Sequence, residues 1–125
     1  MKNLKILILE DDPYRIKNFK KMLSLDNTLF LSDNVEECKS IYNDNKPFDV
    51  IFLDHDLGGE IFVDSNEKNT GYQFSKFIMN EGVNNSVIIH SMNPAGAQRM
   101  RSILPGSRLL PYRILVDFIK KGYLS

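Results

Sequence analysis

The stretch Leu4-Lys5-Ile6-Leu7-Ile8-Leu9-Glu10-Asp11-Asp12-Pro13 carries an apolar run that stops abruptly in three acids and a proline. That is the pattern of a strand buried on both faces, as in a parallel sheet, running out into a polar loop. Asp12-Pro13 has the N-cap and first-residue pairing of a helix start, and Ile16, Phe19 and Leu23 then recur at helical spacing with lysines between them. This first helix is expected to end near Asp26-Asn27. The same sentence is written twice more along the chain. Phe48 to Leu53 is apolar apart from Asp49 and ends at Asp54-His55-Asp56, and Val87-Ile88-Ile89 ends at His90-Ser91.

The elements between fill in the pattern. Thr28 to Leu31 reads as a short strand. Val35, Cys38, Ile41 and Tyr42 form the stripe of a second helix that Pro47 closes. Thr70-Gly71-Tyr72-Gln73 has the spacing of a capping box before a third helix with Phe74, Phe77 and Ile78 inward, running to Glu81-Gly82. Asn93-Pro94 starts a fourth helix with Ala97, Met100, Ile103 and Leu104 inward. After a weak strand at Leu109-Leu110, Pro111 opens a fifth helix with Ile114, Leu115, Phe118 and Ile119 inward and Gly122 as its stop. Five strands alternating with five helices predict one doubly wound α/β domain over residues 1–125, with a five-stranded parallel sheet in the order 2-1-3-4-5 and helices on both faces.

Composition narrows the function classes. Sixteen basic and sixteen acidic residues cancel over 125 residues, so no global field draws in long nucleic acid or an acidic membrane, and only a local basic patch could do so. The apolar runs are too short for a signal-peptide core or a membrane span. The single Cys38 forms no internal disulfide, and a reduced cytoplasmic setting is expected.

In a doubly wound sheet, ligands bind beyond the carboxyl ends of the strands where the winding reverses. Here those ends carry Asp11, Asp12, Asp54, Asp56, His55 and His90. Clustered carboxylates repel unless they share a proton or a cation, and a hard oxygen set points to Mg²⁺, with Mn²⁺ or Zn²⁺ as alternatives. Asp12 alone would read as a helix cap and either histidine alone as a structural residue; their joint placement is what suggests a site. The only two histidines of the chain suit proton transfer near neutral pH. Small residues after Asn93, including Gly96, leave backbone N–H groups at a helix start where a phosphate would sit. Arg99 and Arg101 read as a solvated face. The polar stretch from Gly58 to Asn69 is longer than a common connection and is expected to be a lid or a small hairpin around Ile61-Phe62-Val63.

With Asp11-Asp12 after the first strand, Asp54 after the third and Ser91 after the fourth, the chain resembles the receiver domains of bacterial response regulators over nearly its whole length. The resemblance implies that the acids hold Mg²⁺, that Asp54 accepts a phosphoryl group and that the Ser91 hydroxyl responds to it. The lysine such domains place before proline at the end of the fifth strand is absent: the chain has Leu110-Pro111. The run Asp54-His55-Asp56-Leu57-Gly58, the long loop before Thr70 and the run from His90 to Gly96 are similar instead to the cyclic-phosphate-processing receiver domains. That likeness implies a metal-assisted phosphoesterase acting on a cyclic phosphate or cyclic nucleotide. Asp11, Asp12, Asp54 and Asp56 would hold the metal, one of His55 and His90 would activate water while the other protonates the leaving ribose oxygen, with Asp54 counted among the catalytic groups, and Ser91, Asn93 and Gly96 would hold the phosphate. The alternatives are a stand-alone receiver phosphorylated on Asp54 and a module that binds a nucleotide without cleaving it.

Overall fold

A computed structural model describes residues 3–59, 62–83 and 86–124. Its elements run β1 (Lys5–Leu9), α1 (Pro13–Leu23), β2 (Thr28–Ser32), α2 (Val35–Asn45), β3 (Val50–Leu53), α3 (Gly71–Asn80), β4 (Val87–Ile89), α4 (Pro94–Ile103), β5 (Arg108–Leu109) and α5 (Tyr112–Lys120). The five strands form one parallel sheet in the order β2-β1-β3-β4-β5, as the sequence predicts. Register places Leu9 beside Leu53 and Leu53 beside Ile89, so the three strands that end in polar groups end level with one another.

Strand side chains alternate between faces, and each face buries a separate cluster. Ile6, Ile8, Phe52 and Ile88 pack with Phe19 and Leu23 of α1 and Leu115 of α5. Leu7, Leu9, Ile51, Leu53 and Ile89 pack with Cys38 of α2, Phe74 and Ile78 of α3 and Met100 of α4. No helix among the described residues is long and apolar enough to cross a membrane.

Several local expectations change. α1 ends at Leu23, because the Ser24 backbone N–H already closes on Lys20 and the chain then turns toward β2. Ile114 is 56% exposed, since the inward face of α5 is set by Leu115 one residue later. Thr70 does cap α3, accepting from the Gln73 amide, but the reciprocal half of the capping box is missing: Gln73 Nε2 donates to the Ser65 carbonyl at 2.8 Å instead. Between Leu57 and Thr70 the described residues contain turns and bends and no strand pairing. The only bridge recorded there is a single antiparallel one between Asp56 and Thr70. Ile61, at the centre of the expected hairpin, lies outside the described residues.

The junction from β3 to α3 is held by a backbone approach that only glycine permits. A Cβ on Gly71 would lie 1.8 Å from the Asp54 carbonyl oxygen, and the Gly71 amide donates to the His55 carbonyl at 2.9 Å. Neither neighbour is a flexible side chain, so the clash cannot be relieved by a rotamer change. Gly71→Ala is therefore expected to destabilise the fold by about 3 kcal/mol or more, at the severe end of overpacking. Urea denaturation checks this, and a loss under about 1 kcal/mol would contradict the rigid junction.

Candidate functional site

Strand alternation continues one residue past the ends of β1, β3 and β4. Glu10 follows Ile6 and Ile8, Asp54 follows Phe52, and His90 follows Ile88, so all three side chains fall on the α1/α5 face in one row across three neighbouring strands. All three are buried. One ligand atom from each lies within 4.8 Å of the others, and this is a cluster of metal-ligating type among the described residues.

Glu10 is the acid that the sequence reading passed over. Its Oε1 lies 2.7 Å from His90 Nε2, and its Oε2 accepts from the Asp11 and Asp12 amides at 3.2 and 3.1 Å. Burial alone would push its carboxyl upward. The hydrogen bond and charge of His90, the Asp12 amide and Arg15 outweigh burial and hold it below its ordinary value. Asp54 has the opposite balance. Burial dominates and drives its carboxyl up to about 7, with Glu10 adding to the rise, while His90, Arg15 and the His55 amide pull against it. Two neighbouring carboxyls thus have their proton affinities pushed apart, a hallmark of acid-base sites. His90 Nδ1 is buried without a hydrogen-bond partner among the described residues, a cost that calls for a functional explanation.

A cavity of about 390 Å³ opens above Glu10 and Asp54, lined also by Asp11, Asp12, Asp56, Arg15, Gly59, Phe62 and Met92, whereas His90 is wholly buried and is not part of its lining. Arg15 is the second residue the sequence reading missed. It sits one turn into α1, where a long side chain leans back over the loop that precedes the helix. Its Nη1 is 3.8 Å from Glu10 Oε1, its Nε is 3.7 Å from Asp12 Oδ2, and its guanidinium carbon lies 4.7 Å over the Tyr112 ring. A cation from α1 therefore stands by the acids in a chain with no lysine at the end of β5. Arg99 and Arg101 are exposed and line no part of this cavity.

The other expected site residues are placed differently. Asp12 lines the cavity, but its Oδ1 caps α1 by accepting from the Tyr14 amide at 3.0 Å. Asp11 is half-buried at the rim, and its Oδ2 accepts from the Gly59 amide at 2.6 Å. Burial is the main influence raising its carboxyl, and neighbouring Glu10 and Asp12 add to the rise. Asp56 is a hub for the long loop: Oδ1 accepts from His55, Asn93 and the Val63 amide, and Oδ2 from the Phe62 amide. Burial raises its carboxyl, but these four donors outweigh it and leave Asp56 below its ordinary value. Through these contacts Asp56 anchors the long loop at the cavity wall.

His55 does not reach the cavity. It follows Ile51 and Leu53 in alternation and so points to the opposite face of the sheet from His90. The ring is wholly buried, Nδ1 donates to Asp56 Oδ1 at 2.8 Å, and Nε2 accepts from the Ser65 hydroxyl at 2.8 Å. A Cβ on Gly96 would lie 2.5 Å from this ring, so Gly96 is small to admit His55 and not a phosphate. The expected phosphate site at the start of α4 is filled by the protein itself. Asn93 Oδ1 accepts from the Gly96 amide at 3.1 Å, and Ser91 Oγ accepts from the Asn93 amide at 3.0 Å. Neither Ser91, Asn93 nor Gly96 lines the cavity.

The metal expectation changes with the donor set. Two carboxylates and one imidazole, Glu10, Asp54 and His90, fit a divalent cation. A nitrogen donor in the set suits Mn²⁺ or Zn²⁺ better than Mg²⁺, which favours oxygen throughout.

Residues 6–105 match the family described as cyclic-phosphate processing receiver domain. Curated proteins give no sequence match. Among solved structures, the chain is similar to a two-component response regulator from Clostridium difficile, with 20% identity over 97% of this chain and 93% of that one and a TM-score of 0.72. The receiver domain of a Francisella response regulator is 18% identical over 98% of this chain and 96% of that one, at a TM-score of 0.67. A CheY-like response regulator receiver domain from Methylobacillus flagellatus is 15% identical over 96% and 98%, at 0.66. At these identities the structural likeness establishes the receiver fold.

Two outcomes follow from the geometry. The folded protein keeps on Asp54 a proton that the unfolded chain, with its ordinary value of 3.8, has released. The contribution of Asp54 to stability is therefore lost as pH rises from about 4 to about 7. In the presence of a chelator, Asp54→Asn is expected to be more stable than the parent by roughly 2–4 kcal/mol at about pH 8, and equal to it at about pH 4. Urea titrations at both pH values measure the difference, and an equal gap at the two would contradict the raised carboxyl. His55→Ala is expected to cost roughly 2–3 kcal/mol and to speed hydrogen exchange at the Phe62 and Val63 amides. Unchanged exchange there would show that His55 does not hold the loop.

Proposed function

The chain belongs to the cyclic-phosphate processing receiver domain family, and from that premise we propose that it hydrolyses a cyclic phosphodiester in the cavity above Glu10, Asp54 and His90. The convergence of these three buried side chains beneath an open cavity carries the reading. A receiver that only accepts a phosphoryl group has no evident use for a buried imidazole bonded to its acid.

Glu10, Asp54 and His90 would hold a divalent cation, which when bound supplies positive charge against the phosphoryl oxygens. The Arg15 guanidinium, held by Glu10, Asp12 and Tyr112, presents its remaining donors to a nonbridging oxygen and is already ordered before ligand arrives. His90 keeps Glu10 ionised and oriented. Asp11 lies outside the trio, lines the cavity and has a carboxyl that burial raises despite the Gly59 amide it accepts from. It is the group placed to give a proton to the leaving ribose oxygen as water adds to phosphorus and one ester bond of the ring breaks, and the proton which that water loses passes to solvent, from which Asp11 is reprotonated. Phe62 and Met92 form an apolar wall on the same cavity, suited to the face of a nucleobase.

Incubation with 2′,3′-cyclic nucleotides should yield the ring-opened monoester with Mn²⁺ or Zn²⁺, and chelation should stop it. Glu10→Gln and His90→Ala should abolish cation binding by calorimetry, and Asp11→Asn should lower turnover about 10²- to 10⁴-fold with binding retained. Turnover that survives chelation, or full activity in Asp11→Asn, would overturn these roles. The placement of Asp54 at the end of β3 within a receiver fold favours one other reading, phosphoryl acceptance. A hydroxylamine-labile acyl phosphate on Asp54 after acetyl phosphate treatment, with no cyclic phosphate opened, would establish it. Ligand bound and recovered unchanged would leave a binding module.

A further inference from the structure

A net charge of zero conceals a strong segregation. α1 and α5 together carry Arg15, Lys17, Lys20, Lys21, Arg113 and Lys120, with Asp117 as their only acid. That acid is 3.1 Å from Lys121 and so is paired beyond the helix end. Between the two helices runs a groove of about 520 Å³, lined by Tyr14, Lys21, Arg113 and Lys120 with Tyr112 at its base. Tyr14 is 70% exposed, an aromatic ring left on the surface among cations.

The groove and the reaction cavity share a wall. Pro13 and Arg15 line the cavity while Tyr14 between them lines the groove. Arg15 stacks on Tyr112, and Tyr112 Oη accepts from Asn18 Nδ2 at 3.1 Å, which fixes the partition from both sides. Seven residues of helix separate Tyr14 from Lys21, about 10 Å along the axis. The groove cations therefore lie beyond a single phosphate in the cavity and face whatever extends from it.

We infer that the α1–α5 groove holds the sugar-phosphate backbone of a single-stranded oligonucleotide, whose terminal phosphate lies in the cavity and whose neighbouring base stacks on Tyr14. The inference rests on the hydrolytic reading for the terminal phosphate, but the groove makes its own contacts. A positively charged track with an exposed aromatic ring is the combination that takes single strands, the charges following the phosphates and the ring accepting any base. An acidic protein surface would use the cations and leave Tyr14 without a purpose. The substrate class becomes an oligonucleotide end rather than a free mononucleotide.

Anisotropy of a fluorescein-labelled ten-nucleotide RNA ending in a 2′,3′-cyclic phosphate tests this on the full chain, beside the 2′,3′-cyclic mononucleotide. Lys21, Arg113 and Lys120 as three phosphate contacts predict a log-log salt slope of about −2. Lys21→Glu with Lys120→Glu should weaken RNA binding at least about tenfold, and Tyr14→Ala at least about fivefold, with the mononucleotide handled as by the parent. All three positions are exposed, so the variants keep the core intact. RNA binding equal in parent and variants, or displaced as well by polyglutamate of equal charge, would overturn the groove. If neither substrate is hydrolysed while the variants still lose RNA, the groove stands and the hydrolytic reading falls. If the mononucleotide is hydrolysed while the RNA does not bind, the reverse holds.

Discussion

The contact on which the rest of the site depends is the buried one between Glu10 and His90, 2.7 Å apart with both side chains withdrawn from water. Taking a carboxylate out of water costs several kcal/mol unless partners replace the lost hydration. Glu10 has those partners: the imidazole on one oxygen and two successive backbone amides on the other. Asp54, beside it in the same row, accepts among the described residues from the amide of His55 alone. The two acids differ because one is compensated and the other is not. Without His90, Glu10 would keep the two amides and the more distant Arg15 but lose its closest partner, and its carboxyl would move toward the protonated form that burial favours.

A second network on the opposite face gives the long loop its shape. Asp56 gathers four donors from three segments, His55 ties it to Ser65, and Asn93 ties it to the start of α4. Ser65 in turn accepts from Gln73, and Asn69 accepts from the Val35 amide of α2. A loop of this length with little regular structure would ordinarily fluctuate, since ordering each residue costs about 1–2 kcal/mol. Here the cost is offset by side chains that leave few polar groups unpaired. The network brings Phe62 and Gly59 to the cavity edge, so residues that never touch a ligand determine its shape.

The two histidines show why adjacency along the chain is a poor guide to a site. Both follow strands that end level with one another, yet they lie on opposite faces because strand side chains alternate. His90 shares parity with Ile88 and joins the acids; His55 shares parity with Leu53 and becomes a packing residue under Gly96. The same rule selects Glu10 over Asp11. This information was present in the apolar runs themselves, given that Ile6, Ile8, Phe52 and Ile88 share a face. A count from those residues would have recovered the row.

Alternating buried strands and amphipathic helices determined the architecture from sequence alone. Apolar periodicity is a local property, and right-handed crossovers then leave one favoured strand order. The ends of β1, β3 and β4 were likewise legible as the place where chemistry gathers. Tertiary structure decided which polar residues compete for which partner. Asp12 and Asn93 capped their own helices, Asp56 took up the loop amides, and Arg15 leaned back from α1 to stand beside Glu10 and Asp12. Those choices depend on distances between segments far apart in the chain, and a buried polar group takes whichever partner the fold brings within hydrogen-bond reach.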